Sequence, residues 1–308
     1  MGLALVLFVL PGCLDWSPRT LKIDDESNVV SKEESSVATS PECLALQQQG
    51  AVNAAASAEL KVQKGSGSYQ LALPNGVATA NKGQLSWSQF GQDLWVDTYF
   101  GHKQGGTFVE LGGYDGESHS NTLFFEKERN WQGILIEANP YSYEIMQTKD
   151  RSCWMAHACI TSHNHNYLTF QLAGGITSAL EVASQKHSER IQADIPKYGH
   201  AANWKGAGEK WCIPCFDFNV ILHQTSVWKN KNEPIVIDYF SLDVEGAEMQ
   251  ILQALLSETE PAPIIKVFTI EMQENTVAIR SYLKSKGYKE VATVGIDSVF
   301  VLQTTTDE

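Results

Sequence analysis

The sequence predicts an α/β fold with a mostly parallel, doubly wound sheet that ends in an antiparallel hairpin. Short apolar, β-branched segments alternate with amphipathic helical segments from residue 86 to residue 303, which is typical of a parallel sheet with helices on both faces. The last two strand-like segments are separated only by Gly295 and Ile296, and so short a connection can join only antiparallel strands. Of the 308 residues, 43% are hydrophobic, which is enough for a full core.

The predicted elements follow this alternation along the chain. Strands are predicted at residues 107–111, 133–137, 153–160, 167–172, 237–244, 264–271, 288–294 and 297–303, with a short ordered segment at 211–214. Helices are predicted at residues 86–99, 120–130, 141–149, 183–191, 217–223, 247–256 and 277–286. Residues 174–210 are the least regular part and form an insert, because a long irregular stretch within a domain is usually a lid or a binding loop.

Three regions are expected along the chain. Residues 1–23 include a short apolar segment that suits a secretory signal or a trimmed anchor and is too short to span a bilayer as a helix. Residues 24–84 are acidic and rich in Ser and Ala, so we expect a disordered stalk with little apolar surface to offset the entropy of ordering. Residues 85–304 form the folded domain. We expect the protein in the secretory pathway or associated with a membrane through its N-terminus, and otherwise in the cytoplasm.

Charge and cysteine content argue against several classes of function. The chain has 36 acidic and 23 basic residues and a net charge of −13, which disfavours nucleic acid as a partner. Of six cysteines, only Cys212 and Cys215 have the spacing of a metal or redox site. A zinc site would need a second ligand pair, which the sequence lacks. We therefore expect these two cysteines to be a structural pair, either reduced or disulfide-bonded, and we expect no metal site.

A glycine-rich turn, residues 110–116 (ELGGYDG), follows the first predicted strand. Glycines in such a turn let backbone amides approach a ligand closely. Glu137 ends the next strand, where a carboxylate can accept both hydroxyls of a ribose. Glu110 and Asp115 flank the turn and would repel a pyrophosphate but attract a sulfonium and an amino group. The pattern favours S-adenosylmethionine over NAD, and a purely structural turn with a helix cap is the alternative.

Five segments in collinear order resemble the FkbM family of methyltransferases. They are residues 88–93 (SQFGQD), 108–116 (FVELGGYDG), 120–122 (SNT), 131–140 (WQGILIEANP) and 238–248 (DYFSLDVEGAE). The resemblance covers residues 86–303 and implies a class I methyltransferase fold, which is Rossmann-like with a doubly wound, seven-stranded sheet. It also implies S-adenosyl-L-methionine as cofactor and O-methyl transfer to a hydroxyl, often on a sugar or a polyketide.

The resemblance and the strand ends together indicate the candidate site residues. An alcohol is a poor nucleophile at neutral pH, so a base or a metal ion is needed. We expect Asp243 and Glu245, at the end of the fourth core strand, to be catalytic. In an alternative mechanism Mg²⁺ is held by Asp243, Glu271 and Asn275. The expected cofactor-binding residues are Glu110, Gly112, Gly113, Asp115, Gly116, Asn121, Glu137 and Asp243.

The expected acceptor is a hydroxylated small molecule or a glycan. The residues that select it are expected in the insert 174–210, which has no counterpart in the family pattern. Trp204 and Trp211 are the candidates for the acceptor face, because their rings lie in or beside this insert. A second class of function is also consistent with the sequence: a non-catalytic protein of the secretory pathway that keeps the methyltransferase fold and acts as a binding or trafficking module.

Overall fold

In the computed structural model of this protein, structure is described for Cys43, Ala45 and Gln48 and for residues 53–54, 60–68, 85–160, 167–230, 232–257, 262–273 and 275–303. The strands are β1 (Asn53–Ala54), β2 (Lys61–Lys64), β3 (Thr107–Leu111), β4 (Gln132–Glu137), β5 (Trp154–His157), β6 (Cys159–Ile160), β7 (Tyr167–Gln171), β8 (Ser178–Ala179), β9 (Lys210–Phe216), β10 (Val236–Leu242), β11 (Ile264–Glu271), β12 (Tyr288–Val294) and β13 (Asp297–Leu302). The helices are α1 (Gln92–Tyr99), α2 (Leu123–Arg129), α3 (Pro140–Thr148), α4 (Gln185–Tyr198), α5 (Phe218–His223), α6 (Glu248–Leu255) and α7 (Thr276–Ser285), with a 3₁₀ turn at Ala202–Trp204.

The main sheet has the order β12-β13-β11-β10-β3-β4-β5-β2. The five strands from β11 to β5 pair in parallel. At one edge, β13 is antiparallel to both β11 and β12. This is the expected class I, Rossmann-like, doubly wound sheet with its C-terminal antiparallel hairpin, and the fold class is confirmed. Strand β2 adds an eighth strand to the expected seven. The carboxyl ends of β3, β4, β10 and β11 lie at one edge, where ligands bind in such sheets.

Alternate residues of the central strands enter two apolar clusters, one on each face of the sheet. In β3, Phe108 belongs to one cluster and Val109 to the other, and both are fully buried. Val109 is in register with Ile134 on β4 and with Phe240 on β10, so these three side chains share a face. Burial of each such side chain contributes about 1.5–3 kcal/mol before the entropy of ordering is counted. The continuous apolar runs in the sequence therefore reflect a sheet covered on both sides.

Strand β2 corrects part of the expectation for residues 24–84. It pairs antiparallel with β5, with Val62 opposite Ala156, and Leu60 and Val62 pack against the main core. An edge strand is held mainly by backbone hydrogen bonds, so a segment with few large apolar residues can still join a sheet. Its polar composition concealed it in the sequence. The expected apolar segment at residues 1–23 lies outside the described residues, and the proposed domain boundaries remain predictions.

Helix α1 begins later than the predicted helix at residues 86–99. The carboxylate of Asp93 accepts hydrogen bonds from the hydroxyls of Ser86 at 2.7 Å and Ser88 at 2.6 Å, and from the backbone N–H of Trp87 at 3.0 Å. These bonds hold the residues before Gln92 in a loop, because side-chain acceptors compete with helical hydrogen bonding. No helix among the described residues has the length and apolarity that a membrane span would require.

A second sheet contains most of the strands of the insert and its flanks. Its order is β1-β9-β7-β8, and β6 also pairs with β9. The strand predicted at 153–160 divides into β5 in the main sheet and β6 beside β9. The helix predicted at 183–191 is longer and spans Gln185–Tyr198, with the hydroxyl of Ser184 accepting a hydrogen bond from the backbone of His187 at 3.0 Å. The insert is therefore largely ordered.

The two cysteines of the Cys-x-x-Cys segment are not bonded to each other. Cys212 forms a disulfide with Cys43, and Cys215 forms one with Cys159. Both Cys212 and Cys215 lie on β9, where side chains three residues apart point to opposite faces of the strand. Strand β9 is thereby linked covalently to the N-terminal segment on one face and to β6 on the other.

Candidate functional site

A cavity of about 560 Å³ lies at the carboxyl ends of β3, β4, β10 and β11. Its floor and one side are made by the turns that follow these strands, and its other side is made by the insert. A volume of this size is ordinary for a site that binds a small molecule or a cofactor. The position is the one that the sheet topology predicts for a ligand.

The turn after β3 depends on Gly112. Its φ of +87° is left-handed, and a Cβ at this position would lie 1.7 Å from the backbone oxygen of Asp243. Only glycine allows the turns after β3 and β10 to approach this closely. The neighbouring Gly113 lies against Leu135 and Met146 and also lines the cavity. Both predicted glycines therefore lie at the cavity, in a turn that brings its backbone next to Asp243.

The carboxylate of Glu110 is already hydrogen-bonded within the protein. It accepts hydrogen bonds from the hydroxyl of Ser120 at 2.8 Å, the backbone N–H of Asn121 at 2.7 Å and the hydroxyl of Thr122. The guanidinium of Arg151 lies 3.9 Å away. Burial raises the pKa of Glu110, and Arg151 opposes this rise. Glu110 therefore holds the loop before α2 in place, and the expected direct contact with a cofactor remains a prediction.

Asn121 and Asp115 line the cavity, whereas Gly116 does not. The amide nitrogen of Asn121 donates to the hydroxyl of Ser241 at 2.9 Å, while its side-chain oxygen is buried without a hydrogen-bond partner. Asp115 accepts from the backbone N–H of Ser118 at 2.7 Å and so shapes the turn. Gly116 packs on Met146 instead of facing the cavity. The assignment of Gly116 to the cofactor is thus not supported by its position.

Glu137 lies at the end of β4 and lines the cavity, as the sequence predicts. One carboxylate oxygen accepts a hydrogen bond from the backbone N–H of Tyr114 at 2.8 Å, and the other accepts from that of Asn139 at 2.7 Å. Burial, together with the charge of Asp115, raises the pKa of Glu137 to about 7 although the two backbone bonds oppose the rise. Each oxygen keeps further acceptor capacity for a hydroxyl.

Three carboxylates meet at the other end of the cavity. Asp243 and Glu245 follow β10, Glu271 ends β11, and one oxygen from each lies within 4.8 Å of the others. Asp243 is exposed to the open cavity, and within the described residues its side chain has no hydrogen-bond or ion-pair partner. Burial, and then the charges of Glu271, Glu245, Asp297 and Glu248, raise the pKa of Asp243 well above its usual value. The structure brings both predicted catalytic residues together.

The three carboxylates could also contact one hard cation. Asn275, which the sequence suggested as a ligand beside Asp243 and Glu271, lies instead at the residue before α7 and does not line the cavity. Glu245 occupies the third position of the cluster. Acidic groups often lie this close without a metal, and we assign none here. The expectation that no metal is required remains a prediction.

The insert contributes side chains that sequence analysis could not place. Arg190 on α4 contacts the carboxylate of Glu245 at 3.4 Å and the side-chain oxygen of Gln273 at 3.5 Å, at the acidic end of the cavity. Trp204 lines the cavity, but Trp211 does not and donates its indole N–H to Glu209 at 2.8 Å. Residues 158–160, just after β5, also line the cavity. They follow a core strand at the same sheet edge, and that signal could have identified them.

Several solved methyltransferase structures are similar to this chain at low identity. Precorrin-6y C5,15-methyltransferase from Geobacter metallireducens GS-15 is 9% identical over 69% of this chain and 87% of its own, with a TM-score of 0.35. TrmK from M. capricolum, solved with S-adenosylhomocysteine, is 11% identical over 67% and 66%, with a TM-score of 0.29. A human methyltransferase 10 domain containing protein is 9% identical over 68% and 79%, with a TM-score of 0.33. At these values the similarities add nothing to the sheet order described above. No curated protein sequence matches the chain significantly.

The sequence also matches the model of the methyltransferase FkbM domain over residues 110–290, which is more than half of the chain. The matched region begins at Glu110 and includes the glycine turn, Glu137, the insert, Asp243 and the helices and strands up to β12. It therefore contains the strand ends and the insert residues that surround most of the cavity. This chain belongs to the FkbM family of methyltransferases.

Proposed function

We propose that this protein is an S-adenosylmethionine-dependent O-methyltransferase that acts on a hydroxyl of a glycan or of a hydroxylated small molecule. The observation that carries the proposal is the unpaired carboxylate of Asp243, which faces the cavity beside the Gly112 turn. A base in this position can take the proton of an acceptor alcohol. A glycine turn at the end of the first core strand is suited to bind the methyl donor of the same reaction.

The residues present fit this cofactor. The cavity volume of about 560 Å³ suits a nucleoside ligand. The buried, unpartnered side-chain oxygen of Asn121 offers an acceptor to a ligand donor group. Glu137 would accept the ribose hydroxyls, and the acidic side chains around the turn favour a ligand that carries a sulfonium and an ammonium group. Asn121 and Glu137 would therefore hold the cofactor. Gly112 and Gly113 would allow its close approach to the turn, while their own backbone N–H groups donate to the carbonyl of Ile136 at 3.0 and 3.1 Å.

The chemistry requires a methyl donor and a base. S-adenosylmethionine, when bound, would supply a methyl carbon activated by its sulfonium: the O–CH3 bond forms, the CH3–S bond breaks, and S-adenosylhomocysteine is the leaving group. Asp243 accepts the proton that the hydroxyl loses, and its raised pKa makes it a stronger base than an ordinary carboxylate. Glu245 and Glu271 hold negative charge next to Asp243 and thereby favour its protonation as the reaction proceeds.

The disulfides support a location in the secretory pathway. Cys43–Cys212 and Cys159–Cys215 are both formed between segments far apart in the chain. Disulfides of this structural kind persist in oxidising compartments and are rare in the cytosol. The acceptor is therefore sought first among glycans and other hydroxylated molecules of that pathway.

Cofactor binding can be tested first by calorimetric titration of the full chain with S-adenosylhomocysteine. We expect saturable binding by the wild type and weaker binding by Glu137→Gln, because the amide cannot accept from the backbone N–H groups of both Tyr114 and Asn139. Glu233→Gln is the matched control, since Glu233 is exposed and its side chain accepts from Asn230 in the same turn. Absence of binding to the wild type would reject the enzyme and favour the non-catalytic binding module.

Methyl transfer itself can be tested with methyl-labelled S-adenosylmethionine and panels of glycans and hydroxylated small molecules. We expect label in an acceptor fraction, as an alkali-stable ether. Incubation with EDTA should leave the rate unchanged if, as we propose, no metal takes part. Labelling of nitrogen or carbon instead of oxygen would contradict O-methyl transfer while leaving the methyltransferase assignment intact.

A further inference from the structure

Trp204 occupies a defined place in the cavity wall. It lies in the 3₁₀ turn of the insert, lines the cavity and rests on the backbone of Gly174. A Cβ on Gly174 would lie 2.8 Å from two atoms of the indole ring, and Gly174 also has a left-handed φ of +56°. The absence of a side chain at Gly174 is thus what allows the ring to lie there. Tyr198 packs against the indole from α4, with ring centroids 5.4 Å apart.

The surroundings of Trp204 connect it to Glu137. Thr177 accepts a hydrogen bond from the side chain of Asn139 at 3.0 Å and donates one to the oxygen of Gly174 at 2.8 Å. Asn139 in turn donates its backbone N–H to Glu137. The loop that carries Gly174 is therefore fixed to the end of β4.

A second connection runs through Tyr114. The side chain of Asn203, which precedes Trp204, lies near that of Tyr114 and opposes the rise that burial causes in the pKa of Tyr114, and the backbone N–H of Tyr114 donates to Glu137 at 2.8 Å. A Cβ on Gly175 would lie 3.8 Å from the ring of Tyr114. The consecutive glycines thus each face an aromatic ring, and both rings line the same cavity as Glu137.

We propose that Trp204 is a binding residue for the purine of the cofactor, rather than part of the acceptor face that the sequence suggested. This rests on the proposed function. If Glu137 holds the ribose, the attached base must lie within a few ångströms of that carboxylate, beside the wall formed by Trp204. The face of an indole is a good surface for a purine, because every base presents a π-face to it. In this arrangement the insert covers the nucleoside through Trp204. Arg190 lies at the acidic end of the cavity, where we expect the acceptor to bind.

The experiment is a titration of the full chain with S-adenosylhomocysteine, followed by calorimetry and by tryptophan fluorescence. We expect Trp204→Ala to bind about 5- to 100-fold more weakly, as for removal of an aromatic ring stacked on a base. Trp204→Phe should recover most of the affinity, because a smaller ring still presents an aromatic face. Fluorescence quenching by the ligand should be large in the wild type and much smaller in Trp204→Phe.

Trp95→Ala is the matched control. Trp95 lies on α1, packs on Tyr99 and does not line the cavity, so its removal should leave the affinity unchanged. Binding of equal strength by the wild type and by Trp204→Ala would overturn the inference and leave the proposed function standing. Weaker binding that Phe does not restore, together with a lower melting temperature, would also overturn it, because the ring would then act through packing. No binding to the wild type would reject the proposed function itself.

Discussion

The two sides of the cavity are built in different ways. On the sheet side, Glu137 and Asp243 are carried by the ends of buried parallel strands, and their backbone positions follow from strand pairing. On the insert side, Arg190 and Trp204 are carried by a 14-residue helix and a 3₁₀ turn with a small apolar cluster beneath them. Two disulfides attach strand β9, which closes the insert, to other segments. We infer that the sheet side supplies the side chains that take part in the reaction, and that the insert encloses the bound ligand.

The sharpest test of this division is Asp243→Asn. We expect turnover to fall by about 100- to 10,000-fold, which is the usual contribution of a general base, with the affinity for S-adenosylhomocysteine unchanged. Initial rates with the acceptor identified by the labelled screen, together with calorimetry, provide the two measurements. Glu233→Gln serves again as the control. If Asp243→Asn has the same turnover as the wild type, Asp243 is not the general base.

The second test is Gly112→Ala. The new Cβ would meet the backbone oxygen of Asp243 at 1.7 Å and the residue would have a left-handed φ, so we expect the free energy of unfolding to fall by about 3 kcal/mol. Gly105→Ala is matched, because Gly105 also has a positive φ of +66° but has nothing within 4 Å of its Cβ position. Urea denaturation of both variants separates the clash from the backbone strain. Similar losses in the two would show that the close approach of the turns is unimportant.

The third test concerns the insert side. Cys215→Ala removes the disulfide with Cys159, whose partners are 56 residues apart, and we expect a loss of about 2–3 kcal/mol in the free energy of unfolding. Thermal denaturation in the absence of reductant measures it. Cys153→Ala provides the comparison, because Cys153 is a buried free cysteine within the described residues. If dithiothreitol does not lower the melting temperature of the wild type, the disulfides are not part of its stability.

The smallest expected effect is on the pH dependence of stability. Burial, assisted by Glu271, raises the pKa of Glu248 to about 7, from an ordinary value near 4.5. Because the folded state then holds a proton that the unfolded state has lost, stability falls as the pH rises from about 4.5 through 7. Glu248→Gln removes this cost and keeps the side-chain oxygen that accepts from Val244 and Gly246. We expect a gain of about 1 kcal/mol at pH 8 and none at pH 4.5, measured by urea denaturation. A gain of equal size at both pH values would contradict the assignment.

Much of the sheet side could be predicted because parallel strands share one carboxyl edge. Glu137 is the last residue of β4, and Asp243 is the first residue after β10. Their presence at one cavity therefore follows from the topology. The fold class followed from the alternation of strands and helices and from the short hairpin connection. What the turn does with each side chain was less predictable: Glu110 is saturated by hydroxyls and a backbone amide near α2, and Gly116 turns away from the cavity.

The order of the main strands and helices, the antiparallel hairpin and the strand-end carboxylates could be predicted from the sequence, because they depend on local periodicity and on general rules of connection. Which distant segments meet is visible only in the folded protein. The disulfide between Cys43 and Cys212 joins residues 169 positions apart, β2 pairs with an edge strand, and Trp204 rests on Gly174. Such contacts are set by the packing of the whole chain, and no local pattern in a single sequence encodes them.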